Sequence, residues 1–343
     1  MSAVRALDVA AVSPAAASAD AFGDLTTPYR RELLVHCYRM LGSIDDAEDA
    51  VQETLVRAWN GRHTFRVTVS FRAWLYRIAT NVCLDAIERR RRGLDGAAVV
   101  DSLEVTPVPG GLLDMHDPGP EARYDARESI SLAFLTALQL LSPRQRAVLI
   151  LRDVLSWRAA EVAELLDVSV PAANSSLHRA RQALAAGYRR GPGARAGAIA
   201  RAGTATRAGT ATAARTGTIP PAEPRGLRAL LERYVRAWET ADIPGLVALL
   251  REDAIVSMPP GLTVAGSAAI GEFLASSVFG RGLRIRLVPI EANAGPAYLL
   301  HSAVADAALE PYAVLILELD DAPAKVARMA VFADPRLVAR FLP

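Results

Sequence analysis

Residues 142–184 read SPRQRAVLILRDVLSWRAAEVAELLDVSVPAANSSLHRARQAL. Ser142 is a helix N-cap, and Pro143 takes the first helical position, where a missing N–H costs nothing. Ala147, Val148, Leu149 and Leu151 give the helix that follows its apolar side. Trp157 to Leu166 forms a shorter helix, with Val162, Leu165 and Leu166 apolar and the small Ala163 at the contact. Asp167-Val168-Ser169 is a tight turn. A last helix starts at Val170 or Pro171 and runs through Asn174, Leu177, Ala180 and Leu184. Short helix, turn, longer helix is the helix-turn-helix layout, with an ordinary helical hairpin as the bland alternative. In that layout the second helix enters the major groove and its exposed N-terminal residues read base edges. Asn174, Ser175, His178 and Arg179 are the candidates, Arg179 and Arg181 equally suit phosphate clamps, and Ser169 and Pro171 at the helix start complete the expected contact set.

The block upstream, residues 25–93, is also helical. Leu33, Cys37 and Leu41 repeat at four, and Gly42 ends that helix. Ser43 opens the next, whose apolar stripe is Ala47, Ala50, Val51, Thr54, Leu55 and Ala58. Asp45, Asp46, Asp49, Gln52 and Glu53 crowd its solvent side. An acidic face repels phosphate, so it wants a basic protein partner or only water. The following stretch has the opposite character. His63, Phe65, Arg66, Phe71, Arg72, Trp74, Tyr76, Arg77 and the arginine cluster Arg89–Arg92 interleave rings and guanidinium groups. Rings stack on unpaired bases while guanidinium groups hold the backbone. Core packing is the competing reading for Phe71 and Trp74.

Residues 1–24 read as a disordered tail, and 94–120, with Pro107, Pro109, Gly110 and Gly111, as a linker between the first block and a second at 121–188. Residues 189–224 are low complexity, with the repeat RAGTAT at 201–206 and 207–212 and no acid before Glu223. Such a composition buries too little apolar surface to fold and reads as a flexible basic tether. Residues 225–343 change character: two amphipathic helices, a short strand, a helix, then four β-like runs. That order predicts an α+β domain with a curved antiparallel sheet.

The net charge of +2 is nearly neutral and excludes little. The two cysteines, Cys37 and Cys83, are too few for a disulfide framework and too far apart for a zinc motif, so they read as buried free thiols. No signal peptide or membrane span is expected, which places the chain in the cytoplasm.

The stretch Asp45–Trp59 (DDAEDAVQETLVRAW) resembles the core-polymerase-binding helix of bacterial RNA polymerase sigma factors. Phe71–Asp85 (FRAWLYRIATNVCLD) resembles the helix that melts and reads the upstream edge of the minus-ten element. Leu141–Leu149 (LSPRQRAVL) and Leu177–Arg181 (LHRAR) resemble the domain that reads the minus-thirty-five element. The two-domain order is similar to the extracytoplasmic-function group. The resemblance implies that Asp45, Asp46, Asp49, Gln52 and Glu53 meet the β′ coiled coil of core RNA polymerase, with the β subunit as a further contact. It implies that the 63–70 loop with Trp74, Arg77 and Asn81 holds the non-template strand of promoter DNA. Captured single-stranded bases then offset the few kcal/mol that strand opening costs. The recognition helix has few charges, so a weak minus-thirty-five contact, effective only on the polymerase, is expected.

The last 120 or so residues resemble the SnoaL-like fold, a cone of sheet and helices, through Leu230–Trp238 (LLERYVRAW), Asp253–Pro260 (DAIVSMPP), Gly266–Leu274 (GSAAIGEFL) and Val331–Phe341 (VFADPRLVARF). A subgroup of sigma factors carries this fused domain. The expected fold class is therefore multidomain: two all-α sigma domains, the second a helix-turn-helix, plus a C-terminal α+β SnoaL-like cone domain. Enzymes of that fold use Asp and His in the cone, here Asp253, His301 and Asp306. No spacing pairs a base with an acid, so no enzyme activity, cofactor or metal is expected, and a small-molecule ligand of this domain stays unknown. Two rivals stay open: a ligand-sensing helix-turn-helix regulator, and a bifunctional protein with a catalytic cone.

Overall fold

The structure, a computed structural model, describes residues 14, 18–65, 70–93, 105–110, 131–190, 225–259, 261–293, 295–319 and 325–342. They form two compact units. One draws on residues 1–97 and 142–179, the other on 98–141 and 180–343. The division differs from a simple string of separate domains: the start of the helix-turn-helix segment groups with the first helical block.

In the first unit the helices are α1 (Ala19–Thr26), α2 (Arg30–Leu41), α3 (Ile44–Gly61), α4 (Phe71–Gly93), α6 (Pro143–Leu149), α7 (Ala159–Leu165) and the first part of α8 (Val170–Arg190). Helix α5 (Leu132–Gln139) falls in the second unit. Residues 18–24 correct the expectation of a tail. Ser18 Oγ accepts from the Ala21 N–H at 3.3 Å, which starts α1, and Phe22 is buried. One ring that finds an aromatic pocket outweighs an alanine-rich neighbourhood. Helix α2 ends where Gly42 adopts φ 77°, a left-handed residue whose N–H reaches the Tyr38 carbonyl at 2.8 Å. Ser43 caps α3, and Asp45 and Asp46 in its first turn suit the positive end of the helix dipole. The core is Leu33, Cys37, Tyr38, Ile44, Ala47, Ala58, Leu75 and Cys83, each at 0 % exposure. Both cysteines are free.

The second unit carries α9 (Arg225–Glu239), α10 (Ile243–Leu249), α11 (Ser267–Phe273), α12 (Pro335–Ala339) and strands β1 (Leu250–Met258), β2 (Leu262–Ala265), β3 (Leu283–Ala292), β4 (Gly295–Val304), β5 (Glu310–Leu319) and β6 (Val326–Phe332). The sheet has six strands in the order β2-β1-β6-β5-β4-β3. The α+β class is as expected, but the sheet is mixed rather than antiparallel: β1 and β6 run parallel, with Val256 opposite Met329. Parallel neighbours need a long crossover, and here everything from β2 to β5 supplies it. Alternate residues of the strands face α9, α10 and α11. Tyr234, Trp238, Leu246 and Ile270 pack on Leu287, Leu300, Leu315 and Met329. Each such fully buried side chain is worth about 1.5–3 kcal/mol. Strand β2 and helix α12 carry no strong periodicity, being only 4 and 5 residues long, and were not expected.

Candidate nucleic-acid interface

Helix α3 presents Asp45, Asp49, Gln52 and Glu53 to solvent. These positions lie four, seven and eight residues apart, so one helical face carries them. Val56 continues the face and is 54 % exposed, an apolar group among acids that composition hides and 3.6-residue spacing reveals. Asp46 does not join them: its carboxylate accepts a hydrogen bond from Arg90 of α4. Glu53 accepts from Arg57 Nε at 2.7 Å, and Arg57 also reaches Asp85 at 2.9 Å. The acidic helix is thus tied to α4 at two points, and Arg90 of the basic cluster is already engaged.

The aromatic residues beyond α3 form one cluster. Phe71 meets Phe22 at 6.2 Å, Tyr29 at 5.8 Å, Phe65 at 5.7 Å and Trp74 at 5.7 Å. Phe22 also meets Trp59 at 5.4 Å. Phe71 is only 8 % exposed, so its expected contact with DNA is corrected: it is the hub of a core. Arg72 is corrected as well. Its Nε and terminal nitrogen donate to both Glu32 oxygens at 2.8–3.0 Å, and its guanidinium lies 5.0 Å from the Tyr76 ring. The carboxylate occupies one edge of the planar fork, so an internal ion pair competes there with any phosphate. Phe65 and Trp74 are half-buried at the rim.

His63, Ser70, Arg77, Asn81 and Arg89 are exposed, and Arg66 lies outside the described residues. Ser70 Oγ accepts from the Ala73 N–H at 3.1 Å, so Ser70 starts α4. Arg77 and Asn81 sit one turn apart on the open face of α4. Arg62, with its guanidinium 3.7 Å from the centre of the Trp59 ring, completes the surface. Composition alone gave no sign of that pairing. Beneath lies His36, fully buried, its Nε2 3.0 Å from Thr80 Oγ1. Burial, with Arg39 and Arg72 nearby, pushes its pKa down to about 3.

The helix-turn-helix elements appear where the sequence puts them. Ser142 and Gln145 cap α6 reciprocally. Asp167 makes the turn at φ 53°. Ser169 Oγ accepts from the Ala172 N–H at 3.3 Å and opens α8. On α8, Ala173, Leu177 and Ala180 are buried, whereas Pro171, Asn174, Ser175, His178 and Arg179 are exposed, as is Ser169 before it. Arg181 is half-buried. Arg179 donates to Ser175 Oγ at 2.9 Å, which extends its guanidinium along the helix.

Arg146 was not foreseen as a core group. It is 2 % exposed and donates to the Met40 carbonyl at the end of α2. Burial lowers its pKa to about 10. Trp157 lies 5.3 Å from Tyr76, ring to ring. Helix α6 therefore packs on α2 and α4 inside the first unit.

In the second unit Asp253 is exposed and bonded to Arg251 at 2.7 Å, which holds its carboxyl below the usual range. His301 has an enclosed Nδ1, and Asp306 is exposed in the turn after β4. Trp238 and Tyr298 belong to the core, and Met258 and Phe273 pack at its margin. Among the described residues no group of three or more His, Cys, Asp or Glu side chains could hold a metal ion. None of their helices is long and apolar enough to cross a membrane.

Residues 25–93 match the family described as Sigma-70 region 2, and residues 131–184 match Sigma-70, region 4. The chain is 38 % identical to the ECF RNA polymerase sigma factor SigG of Mycobacterium tuberculosis, over 93 % of this chain and 83 % of that protein. It is 31 % identical to the ECF RNA polymerase sigma factor SigW of Bacillus subtilis, over 48 % of this chain and 87 % of the other. The crystal structure of the Mycobacterium tuberculosis extracytoplasmic function sigma factor SigJ shares the fold, with a TM-score of 0.57, 20 % identity, and coverage of 93 % of this chain and 98 % of that one.

Proposed function

This chain belongs to the extracytoplasmic-function (ECF) RNA polymerase sigma factors, and from that premise we propose which of its surfaces do the work. Sigma factors bind core RNA polymerase and promoter DNA, direct transcription initiation, and are not enzymes. The open acidic face of α3 (Asp45, Asp49, Gln52, Glu53, with Val56 as an apolar anchor) meets the β′ coiled coil, and Asp46 holds that helix to α4. Region 4 adds the contact to the β subunit. His63, Phe65, Arg66, Trp74, Arg77, Asn81 and Arg89 take the opened minus-ten strand. Ser169, Pro171, Asn174, Ser175, His178, Arg179 and Arg181 face the minus-thirty-five duplex. The C-terminal domain carries no catalysis and modulates the helical domains in cis. The protein works in the cytoplasm, where polymerase and promoter are.

The observation that carries this reading is the separation of charge. A solvent-facing acidic helix stands beside an exposed strip with Arg77 and Asn81, and a phosphate-bound surface would not tolerate the first without a basic protein partner. Run-off transcription with purified core polymerase tests it. The full chain should support a promoter-specific transcript, and reversing Asp45 and Asp49 to lysine should abolish core binding while leaving the fold intact. Truncation after Tyr188 should change the output. Core binding untouched by the double reversal would overturn the assignment of α3.

A further inference from the structure

Strand β3 opens with Leu283-Arg284-Ile285-Arg286-Leu287, a strict alternation of apolar and cationic side chains. Ile285 and Leu287 belong to the core beneath α9, α10 and α11. Successive side chains of a strand point to opposite faces, so Arg284 and Arg286 stand on the other face of the sheet. Both are exposed. Arg281, in the helical turn Phe279–Arg281 that leads into the strand, is exposed as well. Residues 281–286 thus carry three guanidinium groups along β3, which is an edge strand of the sheet.

Their surroundings supply little counter-charge. Arg228 and Arg251 of the same domain each meet a carboxylate, at 3.0 and 2.7 Å, whereas Arg281, Arg284 and Arg286 form no ion pair among the described residues. The residues opposite Arg284 and Arg286 on β4 are Ala303 and His301, so no acid faces them across the strands. The Nδ1 of His301 is enclosed and finds no hydrogen-bond partner among the described residues. Arg284 donates to the Ala307 carbonyl in the β4–β5 turn at 2.6 Å, which engages one of its several N–H groups. Asp306 and Glu310 flank that turn, both exposed, and neither pairs with the three arginines.

Arg284 and Arg286 lie about 6.7 Å apart along the strand. At that distance like charges repel, so folding gives no reason for the arrangement, and an anion does. Duplex DNA carries a phosphate about every 3.4 Å along each strand, so the two guanidinium groups match phosphates two steps apart. A chain that acts on promoter DNA has that polyanion beside it. We propose that Arg281, Arg284 and Arg286 form a further DNA-contacting surface, which holds the phosphate backbone of duplex DNA independently of any action in cis on the helical domains. Contacts of this kind position a protein on the duplex and carry no sequence information.

Holoenzyme reconstituted from core polymerase and the full chain tests the surface, with a fluorescent promoter duplex and anisotropy read from about 50 to 200 mM KCl. Counterion release makes the logarithm of affinity fall linearly with that of salt concentration, by about 0.9 per phosphate neutralised. The triple variant Arg281→Gln, Arg284→Gln, Arg286→Gln should flatten that slope by about 2 to 3. The change should be equal on the promoter duplex and on a duplex of unrelated sequence. Lysine at the three positions should restore the slope, because the slope counts charges. Asp306→Asn should act with the opposite sign and raise affinity about twofold at the low-salt end. All these side chains are exposed, so the midpoint of urea unfolding should hold in every variant. A slope that the triple variant leaves unchanged overturns the surface. So does a triple variant that loses affinity for core polymerase while its DNA slope holds, which gives the arginines to a protein partner instead. A loss confined to the promoter duplex overturns it too, since backbone contacts do not distinguish sequences.

Discussion

The surface over residues 62–92 and helix α8 are built from the same side chains, arginine, asparagine, histidine and serine, yet they spend them differently. In the first, Phe71 is the hub of an aromatic core, Arg72 is paired with Glu32 and Arg90 with Asp46, while His63, Ser70, Arg77, Asn81 and Arg89 stand open beside the half-buried Phe65 and Trp74. In the second, every candidate except Arg181 faces solvent. Composition marks a nucleic-acid surface without saying which members are structural. Helical periodicity does say so, because buried Ala173, Leu177 and Ala180 fix where the other face points.

Substitutions at the two surfaces should therefore divide between stability and binding. The largest effect is expected at Phe71. Phe71→Ala removes the ring that four neighbours share and should cost the first unit about 3–5 kcal/mol in urea unfolding. A variant that unfolds like the parent but loses the minus-ten contact would return Phe71 to the DNA.

Acid should separate the regions next. His36 is held neutral down to about pH 3 by burial, beside Arg39 and Arg72. An unfolded histidine protonates near 6.5. Between those values the unfolded chain binds the extra proton, so stability is present above 6.5 and is lost as pH falls. The loss should reach about 2 kcal/mol between pH 6.5 and 5, at about 1.4 kcal/mol per unit. His36→Gln keeps a hydrogen-bonding partner for Thr80 and should flatten that slope. Equal slopes in the two proteins would show that His36 already takes up a proton when folded.

On α8 the expected effect is smallest and lies in binding. Asn174→Ala should leave stability within about 0.5 kcal/mol. It should reduce discrimination among minus-thirty-five variants about tenfold, measured with polymerase present. Loss of stability without loss of discrimination would place Asn174 among the core residues.

The helices and their order were readable from the sequence because caps and apolar spacing are local. Ser43, Ser142, Pro143 and Ser169 each act within one turn of where they stand. The acidic stripe on α3 followed from the same spacing, which extends it to Val56. The pairing of Asp46 with Arg90 is not legible from that spacing, because the two lie 44 residues apart. Arg72 with Glu32 and Arg146 with Met40 failed to show for the same reason. Phe22 reads as part of a tail in the sequence because its ring partners, Trp59 and Phe71, come from other helices.

By itself the sequence determined the two helical blocks, the helix-turn-helix, the α+β class of the last domain and the family, all of which depend on patterns a few residues long. Only the tertiary structure decided which guanidinium and aromatic groups are consumed internally, that β1 and β6 run parallel, and that a proline-flanked valine of the linker sits on Asn293. The ion pair of Arg72 with Glu32 spans 40 positions and the contact of Val108 with Asn293 spans 185, and no local propensity encodes the partner that completes a buried charge or an unpaired amide.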